Sequence, residues 1–121
     1  NYKTFKSSAD YSSSGQYTVV KLSADDTVVQ CSTKGEEAIG ILQNDPGSGE
    51  AAEVAMAGGG ALIKLGGTVA RNQQITTDAS GLGIIPDAAA QQLIARCLES
   101  GVSGDVVACN VVDGEVHAAE A

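Results

Sequence analysis

Short runs of β-branched and aliphatic residues, each closed by a cluster of turn formers, recur along this chain at intervals of about ten residues, and no other feature constrains the fold as much. Tyr17–Leu22 reads as a strand and Ser23–Asp26 as a turn. Thr27–Ser32 is a second strand, closed by Thr33, Lys34 and Gly35. Ala38–Gln43 is a third, and Asn44–Gly49 (NDPGSG) is a dense turn in which Gly supplies positive φ and Pro46 presets φ. Glu53–Ala57 runs into Gly58-Gly59-Gly60, Ala61–Leu65 into Gly66-Gly67, and Gln74–Thr77 into Asp78–Gly81. This rhythm predicts an all-β chain, a small β-barrel or β-sandwich, with at most one short helix.

One segment supports two readings. Asp87–Ser100 carries Leu93, Ile94, Cys97 and Leu98 on one helical face, with Asp87 as a possible N-cap and Gly101 just past the end. An internal comparison opposes this. At one constant, ungapped offset Ile39 aligns with Ile94, Gly40 with Ala95, Gly49 with Gly104, Glu50 with Asp105, Val54 with Cys109, Met56 with Val111 and Gly59 with Gly114. IGILQNDPGSGEAAEVAMAGG and IARCLESGVSGDVVACNVVDG thus look like two copies of one strand–turn–strand unit. Pro46 keeps the first copy from being one continuous helix. By analogy Leu93–Leu98 is expected to be a strand, with no more than a helical turn at Asp87–Gln91.

The aromatics are distributed unevenly. The chain has three tyrosines and one phenylalanine, and all of them, Tyr2, Phe5, Tyr11 and Tyr17, lie within its first seventeen positions. Three sit in a polar, Ser-rich stretch, whereas large aromatics usually anchor a core. Residues 1–16 are therefore expected to be an extended N-terminal arm, 17–116 a single β-barrel domain and 117–121 a C-terminal tail. Fourteen extended residues reach up to roughly 45 Å. In a strand, Tyr2, Thr4 and Lys6 would face one way and Lys3 and Phe5 the other. The expected partner contacts are Tyr2, Lys3, Phe5, Lys6 and Tyr11, because aromatics dominate interface hot spots. On this reading, deleting residues 1–14 leaves a folded body.

Net charge is −8, with Lys3 and Lys6 near the start and the acidic excess beyond. That balance opposes nucleic-acid binding, which needs a basic footprint. No apolar run approaches the ~20 residues of a membrane span, and no signal peptide is visible. Three cysteines without a CxxC pair suggest a reducing compartment and thiols used as small core residues.

The order of features, IGIL, NDPGSGE, EVAMAGG, GGTVARNQQITTDASG and IARCLESGVSGDVVACNV, resembles the capsid cement, or head decoration, proteins of tailed bacteriophages over about residues 15–114. In that family a turn between the middle strands commonly carries Gly-Asp. Asn72-Gln73 holds the place here, and Asn tolerates the left-handed conformation, so the turn is expected to be kept. The resemblance implies a small β-barrel that binds the major capsid protein as a homotrimer. It would sit on the outer surface of the virion head, be assembled in the host cytoplasm, and have no enzymatic role and no cofactor. Two other classes fit the residues: a β-clip-type accessory or small-molecule-binding domain, and a phage tail or baseplate β-module.

No motif indicates catalysis. His117 is the only histidine and has no local partner. Cys31, Cys97, Cys109 and His117 could supply a Cys3His zinc set, but they lack paired spacing. Asp25-Asp26 and Glu36-Glu37 read as turn and rim charges, since adjacent strand residues point to opposite faces. Gly58–Gly60 lacks the Gly-Lys-Ser/Thr of a phosphate loop. Asn44, Asp45 and Glu50 do not match a calcium-binding EF-hand loop. No catalytic, metal or cofactor residues are therefore assigned.

Overall fold

The computed structural model describes residues 1–88 and 91–115, and the expected C-terminal tail with His117 lies outside them. The chain is all-β, as its turn rhythm predicts, and the described residues contain no helix. Ten strands follow in order: β1 Tyr2–Ser7, β2 Val19–Ala24, β3 Thr27–Gln30, β4 Gly40–Leu42, β5 Ala51–Met56, β6 Gly60–Lys64, β7 Gln74–Thr77, β8 Gly83–Ile84, β9 Gln92–Cys97 and β10 Val106–Glu115. The ambiguous segment is a strand: β9 pairs with both β7 and β10. The first five strands form a closed barrel in the order β1-β3-β2-β4-β5, and the last five a sheet in the order β6-β10-β9-β7-β8.

The segment expected to project as an arm is built into the barrel, which corrects the division at residue 16. Strand β1 pairs antiparallel with β5 from Tyr2↔Ala55 to Lys6↔Ala51, and parallel with β3 at Lys6↔Thr27 and Ser7↔Val28. The reason is closure. Without β1, strands β3 and β5 would each present a row of unpaired N–H and C=O groups. Phe5 and Tyr11 are consequently buried, 6% and 8% exposed, in a core cluster with Val20, Val28, Leu42, Ala52 and Val54. The Tyr11 hydroxyl accepts the Gln30 N–H at 2.8 Å, so its polar end is satisfied.

The sequence repeat extends to the whole fold. Gly40, Ile41 and Leu42 face Met56, Ala55 and Val54, and the residues aligned with them, Ala95, Arg96 and Cys97, face Val111, Asn110 and Cys109. Val19↔Ile41 and Val20↔Gly40 recur as Gln74↔Arg96 and Ile75↔Ala95. At a slightly larger offset β1 against β5 recurs as β6 against β10, Phe5↔Ala52 becoming Ile63↔Val107. Even the parallel pair Ser7↔Val28 has a counterpart in the isolated parallel bridge Leu65↔Gly83, which draws β6 and β8 together. The two halves are thus copies of one five-stranded unit.

The turns repeat too. Asn72 has φ 73°, and its counterpart Tyr17 has φ 70°. The left-handed turn expected at Asn72-Gln73 is therefore present. Asn tolerates this conformation far better than Tyr.

Candidate functional site

Strand alternation decides which of the five expected contact residues can meet a partner. Tyr2, Thr4 and Lys6 point outward from β1, and Tyr2 is 56% exposed. The Thr4 hydroxyl donates to Glu53 Oε1 at 2.7 Å across the β1–β5 seam. Lys3 and Phe5 point the other way, and Lys3 Nζ lies 5.4 Å from the Phe5 ring centroid. That cation–π contact caps the ring at the end of the barrel. Phe5 and Tyr11 belong to the chain's own core, so the outward set reduces to Tyr2 and Lys6, with Lys3 at the rim.

The rim surrounds an open mouth at one end of the first barrel. It is a cavity of about 740 Å³ lined by Lys3, Phe5, Leu22, Ser23, Ala24, Asp25, Asp26, Ile39 and Met56. Leu22 continues the inward alternation of Val20 but lies past the last covering strand and is 49% exposed. Asp25 and Asp26 cap the β2–β3 hairpin, where Asp26 takes φ 54°. The mouth thus combines an apolar floor with a largely acidic rim. Asp25 and Asp26 are rim charges, as expected, but nothing local in the sequence sets Leu22, Ile39 and Met56 beside them. Only barrel closure does that.

Glu36 also acts in a way adjacency alone did not reveal. Its Oε2 accepts the N–H groups of Ser32 (2.7 Å) and Thr33 (2.8 Å), and its Oε1 accepts Lys21 Nζ at 2.6 Å. Partial burial raises its pKa, but the bonds from Lys21, Thr33 and Ser32 outweigh that and leave it below the ordinary value. The counterpart, Gln91, does the same for the second loop, its Oε1 accepting from Asp87 (3.0 Å) and Ala88 (3.4 Å). Glu36 is therefore a loop clamp.

The remaining candidates do not converge. All three cysteines are buried in one cluster, and Cys97 faces Cys109 across β9 and β10, where the first half has Leu42 and Val54. Burial pushes the Cys31 and Cys109 thiols up to about 12 and raises that of Cys97. Burial thus favours the protonated thiol at all three, as suits cysteines packed as small core side chains. Asn44 spans its own turn, donating to the Ala51 carbonyl and accepting the Glu53 N–H, while Glu50 holds the Gly47 N–H at 2.7 Å. Among the described residues no group of three or more His, Cys, Asp or Glu side chains is placed to hold a metal ion. Gly58 and Gly59 let the chain start approach closely: a Cβ on either would lie 2.7 Å from an Asn1 atom. No helix among the described residues is long and apolar enough to cross a membrane.

No protein-family model and no curated protein matches this chain. Among solved structures it is similar to the head fiber gp8.5 N base of bacteriophage phi29, with a TM-score of 0.71 and 13% identity over 96% of this chain and 97% of that one. At that identity the likeness is one of fold.

Proposed function

We propose that this protein is a non-enzymatic structural component of a tailed-phage virion, located on the outside of the head. The observation that carries this reading is the shared fold, spanning nearly the whole of both chains, with a phage head fiber base. The order of strand and turn motifs points independently to head decoration proteins. Within that reading the protein is a cement protein. It binds the outer surface of the capsid as a homotrimer, with the major capsid protein as its partner, and stabilises contacts between capsid subunits.

The mechanism is bridging. A trimer presents three copies of each contact, and once one is made the others form at high effective concentration. The first contacts are assigned to the outward face of β1, Tyr2 and Lys6, with Lys3 at the rim. Phe5 and Tyr11 hold that face rigid from inside. A rigid strand loses less conformational entropy on binding than a free arm would.

The test is to mix the purified protein with empty phage heads lacking it and to image the particles. Added density at regular sites on the outer surface is expected. Heads that stay bare at saturating protein would overturn the proposal. A Tyr2→Ala variant that folds normally is expected to decorate less, since a buried interface tyrosine typically contributes about 2 kcal/mol.

A further inference from the structure

The two halves of the chain dock asymmetrically. The outer face of the first barrel supplies Val19, Cys31, Ile41 and Ala55 to one apolar cluster with Ile63, Ile94 and Val111 of the second half. Hydrogen bonds frame that cluster. The Val19 N–H donates to the Gly81 carbonyl at 2.8 Å, the Gly35 N–H to Thr77 at 2.9 Å, and the Lys64 N–H to Tyr17 at 2.9 Å. The Gln30 side-chain amide donates to the Ser80 carbonyl. In effect, a plug on the first unit fills a socket at the end of the second.

Because the halves are copies, each carries both parts. The socket residues Ile63, Thr77, Ser80, Gly81, Ile94 and Val111 correspond in strand position to Phe5, Leu22, Asp25, Asp26, Ile39 and Met56. All six line the open mouth of the first barrel. The plug residues Val19, Gln30, Ile41 and Ala55 correspond to Gln74, Ile85, Arg96 and Asn110. Of these, Ile85 is 40% exposed, Arg96 and Asn110 are exposed, and Gln74 is partly so. Each chain therefore has one socket unfilled and one plug unused. At the free mouth the Lys6 N–H turns back to the Asp26 carbonyl at 2.7 Å, whereas its counterpart Lys64 bonds across to Tyr17.

We propose that copies of this chain associate head to tail, the Gln74, Ile85, Arg96 and Asn110 face of one copy closing the Phe5, Leu22, Asp25 and Asp26 mouth of the next. The contact repeats between chains the docking already made within one. Charge supports a second copy as the occupant. The plug carries the cation Arg96, and the socket rim carries Asp25 and Asp26 against Lys3 alone. Inside the chain the same positions are Ile41, Ser80 and Gly81, uncharged residues of a permanent junction that needs no such steering. A heterologous interface of this kind closes into a ring when its rotation allows. The inference rests on the trimer proposed above and assigns its interface.

The experiment is sedimentation velocity and light scattering on the full chain and on charge variants whose circular dichroism matches the parent. The parent is expected to be trimeric. Arg96→Asp alone, and Asp25→Arg with Asp26→Arg, should each lose the trimer, and the three changes combined in one chain should restore it. Restoration cannot come from repaired folding, since each variant is folded by selection. A trimer that neither variant disturbs would overturn this interface and leave the trimer standing. A monomeric parent would overturn the interface as well, while decoration of heads still judges the virion reading separately.

Discussion

Phe5→Ala separates the two roles an aromatic near the chain start could play, and the structure sets the size of the effect. Phe5 is 6% exposed, lies opposite Ala52 across the β1–β5 seam and packs in the first barrel's core. Truncating a buried phenylalanine costs about 3–5 kcal/mol, more when the void stays closed. Here Phe5 lies at the end of the barrel beside the mouth cavity rather than at its centre, so the low end applies, about 3 kcal/mol. By the usual entropy of unfolding, that lowers Tm by roughly 10 °C or more. Lys3→Ala removes only the exposed cation–π contact, worth about 0.5–1 kcal/mol. The assay is urea unfolding followed by circular dichroism on both variants, alongside decoration of empty heads. A Phe5→Ala protein within about 1 kcal/mol of the parent in stability, yet unable to bind heads, would refute the assignment of Phe5 to the core.

Three further outcomes follow from the same structure. Deleting residues 1–14 removes β1 and exposes the edges of β3 and β5, so the cooperative melting transition and the β-type dichroism should be lost; a folded truncated body would show that the barrel closes without β1. Cys109→Val places at that position the residue its counterpart Val54 already has, and its stability should change by no more than about 1.5 kcal/mol, with no response of Tm to chelators. Glu36 has a folded-state pKa held below its ordinary 4.5, so its stabilisation is fully present above that value and lost as pH falls through the folded one. Glu36→Gln should therefore flatten the decline of the urea midpoint below about pH 4.5, and an unchanged acid limb would remove Glu36 from the account.

The sequence by itself determined what depends on neighbours along the chain. Alternating β-branched runs and Gly, Asn, Asp and Pro clusters specified strands and turns, because strand period and turn φ are local properties. The constant offset between the two hairpins carried over into pairing register, since a one-residue slip would turn Leu42, Val54, Cys97 and Cys109 out of their cores. The opposite directions of Tyr2 and Phe5 were legible for the same reason.

What only the tertiary structure decided is where β1 goes. Its partners, Ala51–Ala55 and Thr27–Val28, are distant in sequence, and one pairing is parallel, so no hairpin signal announces it. A polar, Ser-rich segment that carries three aromatics suits a free arm and a seam strand equally. The open edges of β3 and β5 settle the choice. Closure likewise gathers Leu22, Ile39 and Met56 at one mouth, and the docking of two copied units leaves that mouth unfilled. These are properties of surfaces assembled from remote residues, and no local pattern encodes them.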